Sequence, residues 1–238
     1  MSNKNTLKIL YFILIGYTLN AQTYQHTSFW SRLGIQKTIK NFDFRVDFDL
    51  RQQNDFQKSK INPFQKSFLR WARLNTTYNT GNFSHTIIWP NIIKSYPLIA
   101  TKADLNRPSQ LEWRTTLNEE FTQNFKKLEI GVRLGYEFRN ITANNTTRKG
   151  DRIRLRLSET LKITTKTSLN SSFEYLWNAK ASAASNPFNQ SQLAFRFIHT
   201  IHKNIDFTTG LNHVFRQRND IDVFDVENAI LCNFLISL

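Results

Sequence analysis

Residues 128–139, Leu-Glu-Ile-Gly-Val-Arg-Leu-Gly-Tyr-Glu-Phe-Arg, alternate without a break. Leu128, Ile130, Val132, Leu134, Tyr136 and Phe138 hold the even positions; Glu129, Gly131, Arg133, Gly135, Glu137 and Arg139 hold the odd ones. Successive side chains of a strand point to opposite faces, so the segment predicts a β-strand with one apolar and one polar face. At about 3.3 Å per residue it reaches roughly 40 Å, well beyond the usual soluble strand of about 5–6 residues. A tilted strand needs about 9–11 residues to cross a bilayer, which this one supplies. The rest of the chain repeats the pattern. The expectation is an all-β fold: an antiparallel up-and-down transmembrane β-barrel in an outer membrane.

Composition agrees with that class. A mean hydropathy of −0.46 is too low for a helical membrane protein, but half of each barrel strand faces a polar lumen and dilutes the signal. The formal charge is +14, and about +12 once the two leader lysines are set aside. A balance this basic suits nucleic acid, an anionic membrane surface or anionic ligands. The basic residues are spread along strand faces and the chain reads as exported, which argues against nucleic acid. The one cysteine, Cys232, excludes an internal disulfide and any cysteine-based metal cluster. Neither a metal site nor a cofactor is implied.

Residues 1–21 read as a secretory signal peptide, leaving 22–238 as the barrel domain. Lys4 and Lys8 form the basic region, Ile9 to Leu19 the apolar core, and Ala21 the small residue before cleavage. Residues 22–27 are polar and read as loose, with a first strand over 29–37. Alternation then marks strands beginning near Phe42, Phe68, Phe83, Leu111, Leu128, Arg152, Leu169, Leu193, Ile205 and Val223. These are eleven strands. Single-chain bacterial barrels normally carry an even number, so about twelve is expected, with about ten as the alternative. Short turns near residues 40, 80, 124, 165 and 203 alternate with long polar connections near 58, 100, 146, 184 and 219. Tight turns at one end and longer loops at the other are a barrel's asymmetry. Phe234, Ile236 and Leu238 share one face of the last strand, the place of a barrel assembly signal, although Leu238 stands where an aromatic residue is usual.

Three motifs carry a resemblance: Arg107-Pro108-Ser109-Gln110-Leu111-Glu112-Trp113-Arg114, then Arg152-x-Arg154-x-Arg156-Leu157, and Asp225-Val226-Glu227 before the closing strand. With the leader, they make the chain resemble the DUF2490 family of outer-membrane barrels from Bacteroidota and related Gram-negative bacteria. The resemblance implies a barrel and an outer-membrane location. It implies no activity and no catalytic residue.

The polar faces carry Arg45, Arg51, Arg114, Arg133, Arg139, Arg152, Arg154, Arg156, Arg196 and Arg216, with Glu112, Glu129, Glu137 and Glu174. They read in two ways. The lumen binds or conducts a small anionic ligand, or it is a structural interior filled by arginine–carboxylate pairs, which narrow barrels favour because little open space is left. The candidate binding residues are Arg133, Arg139, Arg152, Arg154, Arg156, Glu129 and Glu137. The triple Arg152/Arg154/Arg156 leads, because one segment projects three forked donors suited to phosphate or carboxylate. It could equally meet lipopolysaccharide phosphates at a rim.

Glu159 falls by parity on the apolar face, which needs a bulge or an interfacial strand end. Trp30, Trp71, Trp89, Trp113 and Trp177 read as interfacial girdle residues. The alternative function is a lipid- or lipopolysaccharide-modifying hydrolase with a Ser–His pair, drawn from His213 with Ser191 or Ser171. His85, His199 and His202 are equally eligible, but no Gly-x-Ser-x-Gly or His-Glu-x-x-His motif accompanies them. The chain therefore reads as non-enzymatic, with outer-membrane lipid and the barrel-assembly machinery as its partners.

Overall fold

The computed structural model describes residues 22–179, 187–218 and 223–238; the leader read at 1–21 lies outside them. Wherever apolar and polar residues alternate, the chain is extended, because only a paired strand can sort the two sets onto opposite faces. The strands are β1 (Gln22–Ile39), β2 (Phe42–Gln53), β3 (Lys66–Thr80), β4 (Phe83–Ser95), β5 (Gln110–Phe125), β6 (Leu128–Ala143), β7 (Thr146–Lys149), β8 (Arg152–Lys162), β9 (Thr167–Asn178), β10 (Phe188–His202), β11 (Ile205–Gln217) and β12 (Val223–Ser237). A 3-10 turn, Lys102–Asn106, lies between β4 and β5.

Twelve strands form one sheet, and eleven of them close the wall. Chain-consecutive wall strands pair antiparallel, β6 passing directly to β8. The four-residue β7 folds back on β6 as an outer flap. An odd number of alternating strands must bring the first and last together running the same way. β1 and β12 do pair in parallel, from Gln22↔Val223 to Gln36↔Ser237. The same parity puts the start of β1 at the long-loop rim and the end of β12 at the short-turn rim.

Two sequence expectations change. Residues 22–27 are not loose: β1 begins at Gln22, because the parallel seam supplies partners for its polar first half. The polar stretch 142–150 is a hairpin, not an open loop, and Asn144 and Asn145 both take the left-handed conformation (φ 47° and 62°) that a tight two-residue hairpin turn requires. Pro90 lies within β4. Register shifts beside Trp89 and Pro90 mark a bulge, which accommodates the missing N–H, and β4 continues to Ser95.

The outer surface is apolar along the outward register. On β2 alone, Phe42, Phe44, Val46, Phe48 and Leu50 are each between 37% and 52% exposed. Around the other strands Leu134, Phe138, Leu157, Phe195 and Leu211 continue the band. Glu159 points outward with them. No register shift occurs in β8, and the residue sits near the strand's short-turn end, so position and not a bulge accommodates it.

Candidate functional site: an arginine-lined lumen

The inward register carries the polar set into a cavity of about 740 Å³. Thirteen arginines and four carboxylates line it among the described residues. Much of this charge is paired. Glu137, fully buried beneath the wall, accepts from Arg152 Nε (2.7 Å), Arg154 Nη1 (2.7 Å) and Arg114 Nη1 (3.4 Å). Glu112 accepts from Arg139 at 2.7 and 2.9 Å and from Arg114 Nε at 2.7 Å. Arg154 Nη2 donates to both carboxylate oxygens of Glu174 at 2.8 Å. Across the lumen Asp47 accepts from Arg45, Arg73 and Asn75, and Asp49 from Arg32. A buried ion is tolerated only when its remaining valences are met in this way.

Pairing does not fill the lumen. Arg51 forms no ion pair among the described residues; its guanidinium lies 3.6 Å from the Trp30 ring centre, and the Trp30 Nε1 donates to Glu227 at 2.7 Å. Trp71 lies between Arg73 (4.4 Å) and Arg114 (5.2 Å) and donates to Asn91. Trp30 and Trp71 are thus lumen residues, a correction to the girdle expectation. Their parity with Arg32 and Arg73 decides it, and a bulge beside Phe68 lets that ring turn inward as well. Trp89 and Trp113 do face outward.

Of the candidate binding residues, Arg133, Arg139, Arg152, Arg154 and Arg156 line the cavity. Glu137 lies behind them as their shared counter-charge. Glu129 stands apart, near the short turn, opposite Asn124 and Thr160 and outside the cavity lining. Alternation along one strand cannot show how far down the lumen a residue lies. The serines and histidines do not come together either. Among the described residues no Ser–His hydrogen bond forms: His213 meets Asn228 on the outer face, His199 meets Thr167, and His85 meets Glu119.

The long-loop mouth is crossed by residues 96–109. Gln53 clasps this segment, donating to Pro97 O (2.7 Å) and accepting from Ile99 N (3.1 Å). Leu98 and Ile99 of this segment are buried. Asp104, buried in the 3-10 turn, accepts from Ala100 N, Thr101 N and Arg218. Burial alone would raise its pKa; the two N–H donors and Arg218 outweigh this and hold the carboxyl below the ordinary aspartate value. Arg218 also donates to Asp225 (2.7 Å), which meets the buried His26 at 2.7 Å. Neither His26 nor Arg218 stands out in the sequence, since both sit beside polar neighbours without a motif.

A family model described as a protein of unknown function, DUF2490, matches residues 27–225. The chain belongs to this family. The three motifs that suggested DUF2490 all contribute to the lumen: Arg107, Glu112 and Arg114; Arg152, Arg154 and Arg156; and Asp225, with Glu227 behind it. No curated protein sequence matches the chain. Similar solved structures include the NanC porin (11% identity, TM-score 0.44, 82% of this chain and 88% of that one). An anion-selective porin from Comamonas acidovorans is 10% identical (TM-score 0.36, 81% and 52%). A loop-deleted OmpT, an outer membrane protein of Vibrio cholerae, is also 10% identical (TM-score 0.37, 73% and 56%). The chain thus spans little more than half the length of the last two.

Proposed function

We propose that this DUF2490 chain is an outer-membrane barrel whose lumen binds and passes small anionic solutes. The observation that carries this reading is the cavity lining, thirteen arginines against four carboxylates. Arginine is permanently charged and offers forked donors to carboxylate and phosphate. A low-dielectric wall of one sign raises the local concentration of the opposite ion. Lipid is the natural solvent for the outer face, because an apolar belt running around every wall strand far exceeds the few hundred Å² that soluble monomers expose. Export through the leader and insertion by barrel-assembly machinery follow from that location.

The test is reconstitution of the full chain in planar bilayers across a ten-fold potassium chloride gradient. The expected reversal potential has the sign of chloride selectivity. Cation selectivity, or a folded barrel that passes no current, would overturn the proposal of anion passage.

A further inference from the structure

The paired and unpaired arginines of the lumen are not mixed at random. Arg133 on β6 lies directly opposite Arg156 on β8. Like charges facing each other across a strand pair are destabilising unless something bridges them. A second pair of lumen arginines, Arg114 opposite Arg139, is bridged by Glu112, which bonds both. Arg133 and Arg156 have no equivalent bridge. The nearest carboxylate to Arg133 is Glu174 at 3.6 Å, and that group is already held by Arg154 through contacts of 2.8 Å. Arg156 forms no ion pair among the described residues, and its buried Nε has no hydrogen-bond partner. Glu120, the cross-strand neighbour of Arg133, is turned towards Gly131, at which an added Cβ would lie 3.3 Å from Glu120 Oε1.

Arg196 on β10 completes the group. It reaches over β9 and donates to two neutral acceptors, Asn170 Oδ1 (2.9 Å) and Ser172 Oγ (3.0 Å). Ser172 pairs with Ser158, one inward position from Arg156. Arg196 is a charged neighbour of Arg156, as Arg156 is of Arg133. Three guanidiniums from β6, β8 and β10 therefore face one part of the cavity, and all three line it. Glu174 and Glu120 are the carboxylates nearby, with Arg32 and Arg154 adding further positive charge.

From this geometry we infer that Arg133, Arg156 and Arg196 form a binding site for a dianionic oxyanion group, phosphate or sulfate, inside the lumen. This rests on the reading of the lumen as an anion path and names where along it an anion is held. Donors arriving from three strands suit an oxyanion with oxygens on several sides, and each N–H···O contact is charge-assisted. One carboxylate would offset a single guanidinium and leave the other charges facing each other in a medium of reduced dielectric. A dianion offsets two and can span all three strands. The site is reached through the cavity and not from the lipid face, so a free solute or a phosphorylated or sulfated small molecule can occupy it, and a bilayer lipid head group cannot.

The test is calorimetric titration of the purified full chain in detergent with inorganic phosphate, sulfate and acetate at pH 8, at fixed ionic strength. Gel mobility of the unboiled sample establishes that each variant is folded. Phosphate and sulfate should bind competitively, and acetate more weakly. Arg156→Gln and Arg196→Gln, made separately, should each weaken phosphate binding about ten- to a hundred-fold, whereas Lys149→Gln on the exposed β7 should leave it unchanged. Equal binding by the wild type and both folded variants would overturn the site even if the barrel is anion-selective. So would an absence of phosphate and sulfate binding to the folded wild type. Acetate binding as tightly as phosphate would overturn the dianion assignment. A cation-selective barrel that still binds phosphate through Arg156 would sink the proposed passage of anions and leave the site standing.

Discussion

Arg218 and Asp104 are 114 residues apart in the chain, yet Arg218 Nη1 lies 3.0 Å from Asp104 Oδ1. The contact ties the segment that crosses the mouth to the loop leading into β12, on the opposite side of the barrel. Arg218 is also held by Asp225 and lies 4.3 Å from the Tyr24 ring centre, so it links the crossing segment to the parallel seam. Replacing Arg218 with Ala leaves two buried carboxylates facing each other. Removing one member of a buried charge pair costs about 3–5 kcal/mol. The strain should be relieved locally by release of residues 96–109. We expect higher single-channel conductance and faster amide exchange over 96–109, with the barrel wall intact; unchanged exchange would show that Gln53 alone holds the segment.

The same contact has a defined pH window. The Asp104 pKa is depressed in the fold, so its contribution is present above the unfolded value of about 3.9 and is lost only as pH falls through the lower folded value. The mouth segment should therefore stay in place between pH 7 and 5. Amide exchange of 96–109, corrected for intrinsic rates, should be flat over that range and rise only below about pH 4. Asp104→Asn should remove the acid transition.

Glu137 is the most heavily shared carboxylate of the lumen, with three guanidiniums within 3.4 Å. Glu137→Gln removes the charge that holds them while preserving volume. Leaving buried like charges uncompensated should cost about 3–5 kcal/mol. The temperature at which the unboiled gel species is lost should fall well below that of the wild type. A variant as heat-resistant as the wild type would mean that solvent in the cavity already screens these arginines.

Gly210 marks a close approach of β11 to β10. A Cβ there would lie 2.9 Å from Arg196 Cα and against the Phe195 carbonyl oxygen. Backbone cannot swing aside as a side chain can, so Gly210→Ala should destabilise the barrel by about 1–3 kcal/mol and disturb Arg196. Arg196-dependent phosphate binding should weaken with it. Gly135→Ala meets a movable Asn118 side chain instead and should be better tolerated.

On the outer face Leu134, 55% exposed, lies near the middle of β6. If lipid covers this face, Leu134→Arg should cost about 2–4 kcal/mol of stability in bilayers. The matching change on the exposed β7, Thr147→Arg, should cost nearly nothing. Equal effects at the two positions would argue that no bilayer surrounds the wall.

Period-two alternation determined a great deal on its own. Because it assigns every residue of a strand to one of two faces, it separated Arg133, Glu137, Arg152, Arg154 and Arg156 from the apolar residues, and it located the short turns and long loops. Where a strand is locally irregular, this signal fails. Phe68 sits at a bulge, and Trp30 and Trp71 have an inward parity that aromatic character obscured. Residues 22–27 carry little alternation, and only the neighbouring β12 makes them a strand. The tertiary structure alone decided the odd-stranded closure, the depth at which each inward residue lies, and which charges are satisfied. Sequence shows that arginines outnumber carboxylates, but pairing depends on distances of a few ångströms between strands far apart in the chain. That is why Arg154 is saturated while Arg156, two residues on and identical in pattern, faces the cavity without a carboxylate.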